Sequence, residues 1–248
     1  MMQAPRRATV RGPTFIRTLA RLTAADLPQP TRSLSDQLSH WIDWTHAVAL
    51  STVLDRPAAA LDDERIDGAA EADECARVRA SLTSAIVGDA AFAAPPRAAG
   101  SSPADAVEAD DGPDYAFFRQ RYLFLQQTME AGVGRLRDRL RQKLSAQSAD
   151  LARLADVDAV MERALSRRER SLLSVAPVLL AEHFERLRQN ARDGSDEARV
   201  PGEAPAAAGE AWPDVFRKDM QDVLLAELDV RLQPAEGLLA ALATNPHG

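Results

Sequence analysis

The sequence predicts an all-α fold, a helical bundle with a long central helical hairpin and two flexible linkers. Three observations predict it. Apolar residues recur at spacings of three and four along most of the 248 positions, the period of a helix with one buried face. No stretch combines apolar/polar alternation with β-branched enrichment, so no strand is expected. The chain is rich in Ala, Leu, Arg, Gln and Glu, which lose little freedom on entering a helix.

The first helix is short. Pro13 follows Gly12 and suits a helix start, because its missing N–H has no intrahelical partner there. Phe15, Ile16, Leu19 and Leu22 line one face, and Leu27-Pro28-Gln29-Pro30 ends the element. A stronger helix is expected from Leu34 to Asp55, opened by a capping-box-like Ser33/Asp36 pair and closed by Pro57. Its buried stripe would be Leu34, Leu38, Trp41, Ile42, Thr45, Val48, Ala49 and Val53. Trp41 and Trp44 are taken as core anchors, since indole surface is costly to leave in water. A weaker helix is expected over Asp62 to Val87, anchored by Val78, Leu82 and Ile86.

The centre carries the clearest pattern. Phe118, Tyr122, Leu125, Met129, Gly132, Leu136, Leu140 and Leu144 are spaced 4, 3, 4, 3, 4, 4, 4, close to the repeat of a coiled-coil seam. Packing within the chain is the default, with pairing to a second chain as the alternative. Gly132 and Gly134 inside this run imply a close helix crossing, a hinge or a local break. Ser148 can cap a following helix carrying Leu151, Leu154, Val157, Met161 and Leu165. Ser166 and Glu169 offer another capping box, at which the helix restarts or through which it runs. Leu172, Leu173, Val175, Leu179, Leu180, Phe184 and Leu187 continue the apolar face, with Pro177 expected to kink it. The last helix is expected from Pro213 to Leu232, with Val215, Phe216, Met220, Val223, Leu224, Glu227, Leu228 and Arg231 on its inner side and edge. Pro234 would start a final short helix.

Residues 90–113 and 193–211 are Pro, Ala, Gly and acidic residues with almost no large apolar group. Such segments bury too little to offset the entropy of ordering. The organisation expected is an N-terminal helical region over 1–89, a linker over 90–113 and the hairpin over 114–192. A second linker over 193–211 precedes C-terminal helices over 212–248 that pack on the bundle.

Composition narrows the function. Net charge is −7, which argues against general nucleic-acid affinity. The single cysteine, Cys75, excludes an intramolecular disulfide framework and fits a reducing compartment. The basic start, MMQAPRRATVRGPTF, lacks the apolar stretch of a secretory signal. No window approaches the run of about 18 apolar residues that a membrane span needs. A cytoplasmic bacterial protein with no membrane span is therefore expected. Almost every basic residue is Arg, with Lys143 and Lys218 the exceptions; a GC-rich genome accounts for that more simply than phosphate recognition.

No catalytic, cofactor-binding or metal-binding residue is assigned from the sequence, and no cofactor is expected. His40 and His46 lie on different helix faces, His183 follows Glu182 without an HExxH pattern, and His247 is in the tail. Cys75 has acidic neighbours, Asp73 and Glu74, which oppose thiolate formation. Gly132-Val133-Gly134 lacks the residues and the preceding strand of a phosphate loop. The candidate interaction surface is the Arg-rich stretch, Arg119, Arg121, Arg135, Arg137, Arg139 and Arg141. Pairing to carboxylates on neighbouring helices is its simpler account. Trp41, Trp44, Phe118, Tyr122, Leu125 and Met129 are the expected core anchors.

Five blocks carry a resemblance: FIRTLARL (15–22), WIDWTHAVALSTVLD (41–55), FFRQRYLFLQQTMEAGVGRLRDRLR (117–141), ERSLLSVAPVLLAEHFERLR (169–188) and FRKDMQDVLLAELDVRLQPAEGLLAAL (216–242). Together they resemble an uncharacterised bacterial domain-of-unknown-function family of about this length. The family brings no assigned activity, so no catalytic residue is carried over. The resemblance implies genes near MotA/TolQ-like and OmpA/MotB-like envelope proteins, and a cytoplasmic partner of such an ion-motive complex.

Long amphipathic helices without chemical motifs favour a non-enzymatic scaffold or adaptor that binds a protein partner or itself. The alternative is a nucleic-acid-binding module using residues 119–143, which the net charge disfavours. A further alternative is a helical enzyme drawing on Tyr115, Tyr122, His46, His183 and Glu182.

Overall fold

The computed structural model describes residues 14–23, 33–55, 68–93, 114–197 and 212–244. Among these residues there are eight α-helices and no strand: α1 (Thr14–Thr23), α2 (Leu34–Trp41), α3 (Trp44–Leu54), α4 (Gly68–Val87), α5 (Tyr115–Gln147), α6 (Ala149–Leu173), α7 (Ala176–Glu197) and α8 (Trp212–Thr244). The fold is the all-α bundle the periodicity predicts.

The bundle is organised around α5 and α8, each 33 residues long. The spaced apolar positions of α5 are all buried, from Phe118 to Leu144. They are covered from within the chain. Helix α8 packs against α1, α4, α5, α6 and α7, and α5 packs against α4, α6, α7 and α8. The seam predicted for the hairpin is thus the inside of a bundle, and α8 fills what a second chain would otherwise occupy. The helices within 1–89 spread over the surface: α1 lies on α7 and α8, α2 and α3 on α6, and α4 on α5 and α8.

One extended residue, Ser148, links α5 to α6 at φ −153°, ψ 161°. Its hydroxyl accepts the Leu151 N–H at 3.3 Å, so one residue makes the turn and caps the next helix. Helix α6 then runs unbroken through Ser166 to Leu173. The chain turns at Ser174–Val175, and Pro177 falls in the first turn of α7, where proline is tolerated. The break expected at Pro177 therefore lies just before it. At the same end, Phe118, Phe184, Trp212 and Phe216 pack edge to face, with Phe184 and Phe216 4.9 Å apart at 83°. These rings bind α5, α7 and α8 together.

Several expectations are corrected. The helix over 34–55 is two helices. The Asp43 carboxylate accepts the His46 N–H at 2.9 Å, making Asp43 an N-cap that ends α2 and starts α3. Trp44, expected in the core, is 82% exposed, and Val48 and Thr45 are exposed with it. Trp41 is half-buried beneath the Arg168 guanidinium, 5.4 Å from the ring centre. The cause is shared: among the described residues α2 and α3 pack mainly on α6, and no other described helix forms an apolar layer over their outer sides. Ile16 likewise stays exposed, while Phe15, Leu19 and Leu22 are buried.

Glycines 132 and 134 do not break α5. A Cβ at Gly132 would stand 3.1 Å from Leu82 Cδ2, so this glycine allows the close crossing of α4 and α5. Pro234 starts no new helix; α8 continues through it. The position is exposed, so water can serve the carbonyl that loses its N–H partner. Residues 90–93, expected in the first linker, are described and pack with α4. Asp89 accepts the Ala91 N–H at 2.9 Å, Ala91 is buried, and Phe92 packs on the core. Helix α7 extends past residue 193 to Glu197. Residues 62–67, 94–113 and 198–211, the bulk of both linkers included, and His247 lie outside the described residues.

Candidate functional site

The polar centre of the molecule is Glu227, which is fully buried. Tyr122 and Gln126 are one turn apart on α5, and Glu227 and Arg231 are one turn apart on α8, so the two pairs face each other across the α5–α8 contact. Tyr122 Oη donates to Glu227 Oε2 at 2.6 Å. Gln126 Nε2 donates at 3.0 Å to the carboxylate and at 3.4 Å to the Leu173 carbonyl. Arg231 donates through Nε at 2.9 Å and reaches Glu169 of α6 at 3.8 Å. Burial pushes the Tyr122 hydroxyl well above its ordinary pKa, and the adjacent Glu227 carboxylate adds to the effect. Every group in the set has a partner inside the protein. The arrangement fixes the relative register of α5, α6 and α8 and leaves no face of the carboxylate for a substrate.

A second polar layer joins α5 to α6. Arg137 grips Asp158 with two bonds, Nε to Oδ2 at 2.8 Å and Nη2 to Oδ1 at 2.6 Å. Arg141 Nε donates to the same Oδ2 at 2.8 Å and also pairs with Glu162 and Asp138. The side chains of Arg137 and Arg141 are only 12% and 14% exposed. Partial burial raises the Asp158 pKa, but the bonds from Arg137 and Arg141 outweigh it and hold the carboxyl below its usual value. Toward α4, Arg139 pairs with Glu74, Lys143 with Glu71 at 3.2 Å, and Arg121 with the buried Asp89. Of the six arginines in the candidate surface, only Arg119 and Arg135 are exposed without a carboxylate partner among the described residues. Four others are fastened to the carboxylates of neighbouring helices.

The residues considered for an enzyme do not meet. Tyr115 donates to the Pro177 carbonyl, and burial pushes its pKa up to about 12 despite Arg119 nearby. His46 contacts its capping partner Asp43 on an outlying helix. His183 Nε2 lies 2.8 Å from Asp219 Oδ2, while Arg186 faces its Nδ1 at 3.0 Å and also donates to the Leu22 carbonyl of α1. Glu182 is exposed. Cys75 is buried on α4; its pKa is raised by burial first and by Glu236 second, against a lowering by Arg79. Glu236 lies on α8, so the acidic neighbour that matters is not among those adjacent in sequence. No group of three His, Cys, Asp or Glu side chains suited to a metal occurs among the described residues. A groove of about 220 Å³ between α4 and α5 is lined by Glu71, Glu74, Arg77, Arg139 and Lys143; Arg77 and Arg139 pair with Glu74 and Lys143 with Glu71 Oε1, while the buried Glu71 Oε2 has no hydrogen-bond partner among the described residues.

The remaining distinctive surface is apolar and outward. Helix α3, WTHAVALSTVL, has 11 residues and no Asp, Glu, Lys or Arg. His46, Ala49, Leu50 and Val53 lie on its more covered side, while Trp44, Val48 and Leu54 stay exposed. Helix α6 adds exposed Leu154 and Leu172. At the other end of α5, Phe117 and Phe124 are about half exposed, with Arg121 4.7 Å above the Phe124 ring. The available sequence signal for this surface is the missing charge in α3: a helix apolar on all sides needs cover on all sides.

The geometry defines a helical-bundle protein whose central carboxylate, Glu227, is enclosed and whose surface carries both an apolar helix, α3, and a charge-lined groove between α4 and α5. The chain belongs to the family described as protein of unknown function (DUF3348), whose model matches residues 1–244. No curated protein and no solved structure gives a significant match. No helix among the described residues is long and apolar enough to cross a membrane.

Proposed function

We propose that the protein is a helical scaffold or adaptor that engages a protein through the exposed side of α3, the helix laid on α6 of the hairpin. The observation that carries this reading is Trp44, an indole 82% exposed on a helix without a charged residue. Exposed aromatic and aliphatic groups in one patch mark interaction sites. Tyr122, Gln126, Glu227 and Arg231, the polar groups at the centre of the bundle, bond to one another. Arg137, Arg139 and Arg141 hold carboxylates, so a nucleic-acid role would draw on what remains of the stretch, and no observation favours it over a protein partner. The envelope ion-motive complex implied by the resemblance is the partner class to examine first.

The test is recovery of the tagged full chain from its native cell, beside a Trp44→Ser, Leu172→Ser variant. Both positions are exposed, so the variant is expected to fold. A partner held by the parent chain and lost by the variant supports the reading. No partner for either chain, together with a strictly monomeric parent, overturns it.

A further inference from the structure

We infer that the groove between α4 and α5 binds a small acidic α-amino acid, whose ammonium group is taken by the buried Glu71 carboxylate. The inference goes beyond the adaptor reading and does not depend on α3. Helices α4 and α5 run antiparallel: Leu82 meets Gly132, Glu74 meets Arg139 and Glu71 meets Lys143. Glu71, Glu74 and Arg77 recur every third position along α4, and Leu136, Arg139, Leu140 and Lys143 fall on one face of α5. Together they line a groove of about 220 Å³, charged at its walls and backed by two buried leucines.

The observation that points to a ligand is Glu71. Its side chain is only 10% exposed. Oε1 pairs with Lys143 Nζ at 3.2 Å, but Oε2 is shut from solvent and has no hydrogen-bond partner among the described residues. A buried carboxylate oxygen is costly to leave idle. It calls for a donor, and a charged donor makes the stronger bond. Lys143 is half exposed on a flexible stem, so it can swing outward and open Oε2 to the groove.

Charge decides what carries the donor. Three cations, Arg77, Arg139 and Lys143, face two carboxylates, Glu71 and Glu74. A simple cation would be repelled by that surplus. A simple anion would suit the cations but leave Glu71 Oε2 without a donor. A molecule with one ammonium and two carboxylates answers both demands. Glu74 takes Nη2 of each arginine, and both guanidinium groups are more than half exposed, so each keeps N–H donors for the ligand's carboxylates. Sites for drug-sized molecules start at about 300 Å³, so the groove suits an amino acid better than a nucleotide.

The experiment is calorimetric titration of the full chain with L-aspartate, and with succinate, which is aspartate without its ammonium group. Ionic strength is matched, and circular dichroism confirms that each variant is helical. L-aspartate is expected to bind and to raise the melting temperature, with succinate about tenfold weaker or worse. Glu71→Gln should weaken L-aspartate about tenfold while succinate binds as well as before or better, because a negative charge has left the groove. A merely structural role for Glu71 would not reverse that preference. Arg77→Ala, at an exposed position, should also weaken L-aspartate, which checks the carboxylate side in a chain whose interior is untouched. No binding of L-aspartate or L-glutamate at millimolar concentration overturns the inference. So does succinate bound as tightly as L-aspartate, or L-aspartate binding that Glu71→Gln leaves unchanged. None of these outcomes bears on partner recovery through Trp44 and Leu172, so the adaptor reading stands or falls separately.

Discussion

Tyr122 and Glu227, 105 positions apart in the chain, share a hydrogen bond of 2.6 Å in the fully buried centre of the bundle. Because Arg231 and Gln126 complete the set, both carboxylate oxygens have donors without solvent, and loss of any one partner strands another.

Tyr122→Phe removes one charge-assisted bond and is expected to cost about 1.5–3 kcal/mol in urea unfolding. Glu227→Leu leaves the Arg231 guanidinium buried without its main partner and should cost about 3–5 kcal/mol. Adding Arg231→Met to Glu227→Leu should recover part of that loss, since it removes the stranded guanidinium but leaves Tyr122 Oη and Gln126 Nε2 without their acceptor. A double variant as unstable as the sum of its parts would contradict the account.

The tyrosines bear on alkaline stability. The chain has two, Tyr115 and Tyr122, and burial raises both above the unfolded value of about 10. A hydroxyl whose folded pKa is raised keeps its proton in the folded state after the unfolded chain has lost it. Its contribution is complete below the unfolded pKa and declines as pH rises beyond it. Phenolate absorbance should therefore stay flat through pH of about 10 while the protein remains folded, and then rise together with loss of helix. A tyrosine titrating at its ordinary value in the folded protein would count against the packing described.

Asp158 bears on acid stability with the opposite sign. Its folded pKa is lowered by Arg137 and Arg141 against the pull of burial. The stabilisation is present above the unfolded carboxyl value and fades as pH falls through the folded one. Asp158→Asn should destabilise the protein at neutral pH and flatten the fall in melting temperature between pH of about 4 and 2. An unchanged acid limb in the variant would remove this ion-pair layer from the explanation.

The two central glycines should separate cleanly. Gly134 has nothing within 4 Å of its missing Cβ, so Gly134→Ala should stabilise the helix by roughly 0.5–1 kcal/mol. Gly132→Leu must displace Leu82, whose methyl carbons stand 3.1 and 3.3 Å from an added Cβ. It should cost about 1–3 kcal/mol by overpacking. Thermal melts of the two variants, moving in opposite directions, check this.

How much of this was legible can be judged residue by residue. The stripe from Phe118 to Leu144 can be read in advance because local spacing alone sets which side chains share a helix face. Glu227 and Arg231 stand out as polar residues on the inner side of α8 for the same reason. Their partners Tyr122 and Gln126 cannot be matched to them from the chain, since that depends on how two distant helices are set against each other. Trp41 and Trp44 mislead because size measures the benefit of burial and not the presence of something to bury against. The break at Asp43 is hidden because the apolar pattern continues through Ile42, while the competing signal is a single capping carboxylate. The Arg-rich stretch is ambiguous in the sequence because its partners Asp158, Glu162, Glu74 and Glu71 stand on other helices.

The reach of α8 along the bundle has a consequence for synthesis. Five other helices lean on it, and it leaves the ribosome after all five of them. Earlier helices form nascent turns on emergence, but their greasy sides stay bare until residues 212–244 arrive. Translation arrested shortly before residue 212 would release a polypeptide with no interior to close, exposed to chaperones and proteases. Maturation is thus withheld until α8 is made.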